Sequence, residues 1–217
     1  MIRLNRSAKP TVLVTHGATW KEEYLAWLIS RIGAEPRRYT HQEIRDSLEA
    51  ETHSKCAYCE ARINDVSYTH IEHKLPKKKH PHLVCEWDNL TIGCPRCNTN
   101  KGDYDDPACQ VLDPHIDDVE REIAFFGPLA LPRGGARARL TVRRLGLNRK
   151  DLIFNRAEVL QRLDDLLDLV ERAGDDVALA RAFWADIEGL ATESAEFASA
   201  CRYFVRFQQA ERGLVKP

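Results

Sequence analysis

The chain has 217 residues, 43% of them hydrophobic and 30% charged, with a formal net charge of −1. These proportions suit one globular core with its attached helices and exclude a disordered, collagenous or repeat-built chain. No apolar run nears the roughly 18 residues that span a bilayer, and the early patch Val12-Leu13-Val14 is too short for a signal peptide. The sequence therefore predicts a cytoplasmic protein without membrane contact, whose seven cysteines stay reduced.

The near-zero total hides a bipolar distribution. Residues 133–156 carry eight basic side chains against Asp151 alone, whereas residues 157–200 carry eleven carboxylates against Arg162, Arg172 and Arg181. What such charge can bind depends on where it lies and not on the sum.

In chain order, residues 1–52 read as an N-terminal helical segment. Thr19-Trp-Lys-Glu22 and Thr40-His-Gln-Glu43 both have the form of a capping box, in which Thr accepts an N3 amide and Glu reaches back. Tyr24, Leu25, Leu28 and Ile32 fall on one stripe of the first helix, which Gly33 and Pro36 should end, and Ile44 with Leu48 give the second helix a face to bury. This segment predicts packing and no chemistry.

Residues 53–106 change character, with short pieces punctuated by Cys, Pro, Gly and Asn. Cys56-Ala-Tyr-Cys59 and Cys94-Pro-Arg-Cys97, with 34 residues between them, are two knuckles that can wrap one ion. Four thiolates predict a closed, structural zinc site with no position left for water or substrate. Cys85, Cys109 and Cys201 sit singly among apolar neighbours and read as small hydrophobes. Between the knuckles, an alternating run from Tyr68 ends at Glu72-His73, followed by Trp87-Asp88-Asn89-Leu90 and, nine residues beyond Asn89, by Asn98.

Residues 107–217 predict a C-terminal helical region. A turn at Asp113-Pro114 precedes Phe125-Phe126-Gly127-Pro128, where helix and hairpin both remain open. Leu140, Leu145 and Leu147 suggest one helix, and Leu152, Val159, Leu163, Leu166 and Val170 a long one stopped by Gly174. Two more follow, carrying Val177, Phe183 and Ile187, then Phe197, Cys201, Phe204 and Phe207.

The ordered set C-x-Y-C, E-H, N-L and C-x-x-C-N-x-x-K resembles the HNH endonucleases. The resemblance implies a mainly α protein around a small ββα-metal, treble-clef-like finger stapled by the four-cysteine zinc site. It makes His73 the general base, Glu72 and Asn98 the ligands of a catalytic divalent ion, and Asn89 the residue that holds the hairpin loop. The chemistry agrees. A histidine titrates near neutrality and can deprotonate water, and a cation on oxygen ligands offsets phosphoryl charge. The family usually has Asp before the base and often a second His at the end. Glu72 and Asn98 in those places favour a hard ion, Mg²⁺ or Mn²⁺. His70 shares a strand face with Glu72, either as a further ligand or as a solvent-facing residue. Lys74, Lys77, Lys78 and Lys79, with Lys101 beyond the second knuckle, are placed to neutralise backbone phosphates of DNA. The Arg-rich segment is a second candidate for that contact.

A narrower resemblance rests on Met1-Ile-Arg-Leu-Asn5, Cys59-Glu60, Ile71 to Lys77, Leu112-Asp-Pro114, Leu140 to Asn148 and Arg156. Together these are similar to the PtuB family, HNH effectors of Septu anti-phage systems that also occur with some retrons. That resemblance implies a PtuA-type ATPase partner. The chain has no G-x-x-x-x-G-K-[ST] loop of its own, so nucleotide sensing falls to that partner, which is expected to dock on residues 136–211. Two rivals remain open at this point. A stand-alone restriction or homing HNH nuclease would cut without a partner, and a non-catalytic zinc-finger binding module would need neither His73 nor Asn89.

Overall fold

The computed structural model describes residues 1–63 and 69–217, and Tyr68 of the alternating run lies outside them. Helix α1 spans Thr11–Ser30 and α2 Gln42–Thr52. Strands β1 (His70–His73) and β2 (Leu90–Gly93) pair antiparallel, and α3 (Pro95–Lys101) follows. Beyond a loop come α4 (Val119–Glu122), the hairpin β3 (Ile123–Phe126) and β4 (Leu129–Pro132), then α5 (Ala136–Arg144), α6 (Lys150–Ala173), α7 (Val177–Ala191) and α8 (Ala198–Arg212).

The two expected capping boxes are displaced. Helix α1 starts at Thr11 behind Pro10, so Thr19 lies mid-helix, where its neighbours' amides already have intrahelical partners. Thr40 closes a single 3₁₀ turn, and His41 caps α2 by accepting from Glu43 N. Glu43 does reach a helix start, but that of α1, where it accepts from Val12 N at 3.1 Å. Ile32 falls past the end of α1 and is exposed. Between Ile123 and Pro132 the hairpin prevails over a helix, with Gly127 supplying a φ of +52° at the turn. Leu145 and Leu147 lie just beyond α5, yet both are buried.

Three apolar clusters place the finger in the middle of the fold. Leu13, Tyr24, Ile44 and Leu48 from α1 and α2 cover Ile71, Leu90 and Ile92 of the β1–β2 hairpin. On the other side the cysteine knuckles pack with Leu112, Ile123, Val142, Leu152 and Phe197. Leu163, Leu167, Trp184, Ile187 and Val205 make a separate cluster among α6, α7 and α8. Arg156, 2% exposed, joins the outer hairpin to α6 by donating to Leu147 O at 2.7 Å and Pro128 O at 3.1 Å. Burial of a guanidinium is tolerable because carbonyls receive its protons.

Candidate metal and catalytic site

The first knuckle is held to the finger by Ala57 N donating to Ile92 O at 2.9 Å, and its own turn by Glu60 N donating to Cys56 O. The second opens α3, whose N-cap is Cys94, with its sulfur accepting from Cys97 N at 3.4 Å. The two elements bring Cys56, Cys59, Cys94 and Cys97 together, with all four sulfurs within 4.8 Å of one another. A tetrahedron of Zn–S bonds of about 2.3 Å has edges of about 3.8 Å, and Cys59 Sγ lies 3.9 Å from Cys94 Sγ. The cluster could hold a zinc ion. Of the remaining cysteines, Cys85 and Cys201 are buried and Cys109 partly so. Burial pushes the first two thiols up to about 11 and 12, which makes them poor nucleophiles.

Sequence spacing could not reveal the arginine that lies against this cluster. Arg149 places Nη1 3.6 Å from Cys97 Sγ, and Nη2 3.7 Å from Cys59 Sγ and 3.8 Å from Cys94 Sγ. Four thiolates around a dication leave two negative charges, which a guanidinium partly offsets. Its only advance signal was membership of a basic run.

The antiparallel register sets His73 opposite Leu90 and Glu72 opposite Thr91. His73 is 7% exposed and sits edge-on to Tyr39, ring centroids 4.7 Å apart. Its Nε2 lies 3.0 Å from Val84 O. A carbonyl only accepts, so that nitrogen carries the proton and Nδ1 keeps a free lone pair. Burial, with Lys77 and Lys101 adding to it, brings the imidazole down to about 4 against the effect of the Val84 bond. The ring is therefore neutral at pH 7.

Asn89 ties down the loop between the strands. Its Oδ1 accepts from Leu75 N at 2.8 Å, its Nδ2 donates to Leu75 O at 3.1 Å, and its own carbonyl accepts from Lys74 N at 2.8 Å. Gly93 lies under Glu72 and Asn98, since a Cβ there would come within 3.3 Å of Glu72 Cβ and 3.9 Å of Asn98 Cβ. The two side chains thus converge across a position with no side chain of its own. His70 Nδ1 is 3.4 Å from Asn98 Nδ2, on the exposed rim.

The lysines differ from expectation. Lys101 is 2% exposed and its Nζ lies 2.6 Å from Glu72 Oε1, so it faces inward and not toward solvent. A buried carboxylate requires a nearby cation, and α3 delivers this one. At that distance Lys101 is the direct partner of Glu72 Oε1. Burial raises the Glu72 carboxyl, with Lys101 opposing it. Lys74 pairs with Asp113 at 2.6 Å, and Lys77 with Glu35 and, at 3.0 Å, with Tyr39 Oη. Only Lys78 and Lys79 are exposed, and they meet Asp103 at 3.1 Å and Asp105 O at 3.4 Å.

The HNH endonuclease family model matches residues 56–104, the span from the first knuckle to just past α3. The chain is 32% identical to the Septu protein PtuB of Bacillus thuringiensis, over 79% of this chain and 66% of that protein. It is 25% identical to the Septu protein PtuB of Bacillus mycoides, over 58% of this chain and 54% of that one. The chain carries an HNH endonuclease domain of the PtuB type. It spans just under two thirds of the first relative and about half of the second. Within the HNH domain fall all four cysteines together with Glu72, His73, Asn89, Asn98 and Lys101. No helix among the described residues is long and apolar enough to cross a membrane.

Proposed function

We propose that this chain is a metal-dependent endonuclease that hydrolyses DNA phosphodiester bonds, as the effector of an anti-phage defence system, together with a PtuA-type ATPase. The observation that carries the reading is the setting of His73. A neutral imidazole, oriented by the Val84 carbonyl and next in sequence to Glu72, is prepared to take a proton from water. Zinc would sit at Cys56, Cys59, Cys94 and Cys97. Mg²⁺ or Mn²⁺ would be held by Glu72 and Asn98, whose oxygens suit a hard ion. The convergence of Glu72 and Asn98 over Gly93 supports that assignment. When bound, the ion supplies charge to offset the phosphorane and the leaving oxygen. Lys101 neutralises Glu72 in the absence of such an ion and must share or cede the carboxylate to it. Asn89 keeps the loop, and so the backbone next to His73, in one shape.

The test is plasmid nicking with Mg²⁺ or Mn²⁺, with and without a co-encoded ATPase. His73→Ala should cut about 10²- to 10⁴-fold more slowly, with DNA affinity and circular dichroism preserved. Cleavage at the parental rate would remove His73 from the role of base. Efficient cutting without the ATPase would favour the stand-alone nuclease.

Docking of the ATPase on residues 136–211 fits the acidic character of α6 and α7. Helix α8 gives Ala200 to the same core as the knuckles, and Phe197 just before it does likewise. Removing residues 175–217 would therefore disturb the finger. Charge reversal at Asp165 and Asp186, which line one surface groove between α6 and α7, tests the contact without that damage, through loss of co-purification.

A further inference from the structure

The lysines that follow the base are matched to partners, as is Arg137 of α5, which pairs with Asp117 at 2.7 Å, but Arg139 and Arg143 of the same helix are not. Lys74, Lys77, Lys78 and His80 lie against Asp113, Glu35, Asp103 and Asp105. Arg139 and Arg143 are exposed, and neither has a carboxylate within 4.0 Å among the described residues. They stand four apart on α5, so they occupy one outward stripe while Ala138, Thr141 and Val142 turn inward. Like charges at that spacing repel each other and disfavour the helix. Helix α5 also begins at Gly135 with no side-chain cap, so little local structure offsets the repulsion.

The C-terminal end of α5 lies against α3. Arg144, the next residue, stacks over Tyr104 at 5.0 Å and donates from Nε and Nη2 to Lys101 O at 3.3 and 3.1 Å. Asn100 Nδ2 donates to Leu145 O at 3.1 Å. These three bonds fasten the C-terminal end of α5 to α3, the helix that carries Asn98. We propose that the exposed arginine face of α5, Arg139 and Arg143 continued by Arg144, is the surface on which the DNA backbone is held as it enters the site. This rests on the nuclease reading above. Guanidinium groups match phosphate oxygens in two-point fashion, and two contacts one helical turn apart provide a grip that reads charge and not sequence. An acidic surface on a partner protein would also suit bare arginines. Attachment to α3 favours the phosphate chain, which must pass that helix to be cut.

The experiment uses the full-length chain with His73→Ala, to prevent cleavage, and a fluorescent DNA duplex titrated over a range of salt. Arg139→Gln with Arg143→Gln should lower the slope of log affinity against log salt by up to about 1.8, about 0.9 for each lost phosphate contact. Arg139→Lys with Arg143→Lys should restore most of it. Lys78→Gln with Lys79→Gln should change the slope less than the arginine pair does. Circular dichroism reports whether each variant is folded. An unchanged slope in the arginine variant, beside normal plasmid nicking by the parent, would overturn this surface and leave the nuclease standing. Loss of ATPase capture at unchanged slope would assign the face to a protein and overturn the proposal. Absence of both binding and nicking in the parent would remove the proposal and the nuclease reading together.

Discussion

The finger and the α6–α8 bundle are buried to similar depth but by different chemistry. The finger hides Cys56, Cys59 and Cys97, the Glu72–Lys101 pair, His73 and Asn89, groups whose burial must be balanced one by one. The bundle hides Leu163, Leu167, Trp184 and Ile187, groups that need only fit. Non-directional burial tolerates local change and costs stability in proportion to lost volume. A site made of directional contacts can lose its function through one atom. The difference teaches which half should answer to metal and pH and which to cavity size.

The largest effect expected from that contrast is on metal. Cys94→Ser should release zinc and unfold the finger, because zinc binding worth about 10 to 16 kcal/mol in small fingers is folding free energy. The bundle should keep its helical circular dichroism. One zinc per chain in that variant, by elemental analysis, would break the comparison. Leu163→Ala should cost about 2 to 5 kcal/mol in denaturant unfolding and leave zinc content and nicking by the folded protein unchanged. Reduced zinc there would mean that the two halves are one cooperative unit.

Smaller effects sharpen the contrast. Burial alone would raise the Asp113 carboxyl, but hydrogen bonds from His115 and the nearby Lys74 outweigh it and hold the group near 2 against an ordinary 3.8. The folded value is the lower one, so its stabilisation of about 2 kcal/mol is present above pH 4 and is lost as pH falls toward 2. Asp113→Asn should flatten that part of the acid limb, measured as denaturant midpoint against pH. Arg149→Gln should weaken zinc about 10- to 100-fold in chelator competition with little change in the bundle. Unchanged zinc affinity would reduce Arg149 to packing.

What was legible in the sequence was local. The knuckle spacing identified the cysteines that meet, and a 3.6-residue period located α6 to α8. The order of E-H, N-L and C-x-x-C-N anticipated a hairpin followed by a helix. What was not legible depended on contacts far along the chain. Lys101 reads as one more basic residue beside a knuckle until β1 and α3 bring it to Glu72, 29 residues earlier. Arg149 meets Cys59 across 90 positions. The Thr19 pattern misled because a capping motif is local and the true helix start, behind Pro10, needed no box. Phe125 to Pro128 stayed ambiguous because Gly and Pro punctuate helix ends and hairpin turns alike.

Arg149 is also the N-cap residue just before α6, 52 positions after Cys97. At about 5 to 20 residues per second, a ribosome needs roughly 3 to 10 s to travel from the last thiol to this guanidinium. During that interval all four cysteines exist and their cover does not. A growing chain can therefore load its ion through an open door, and synthesis of the long helix then closes it.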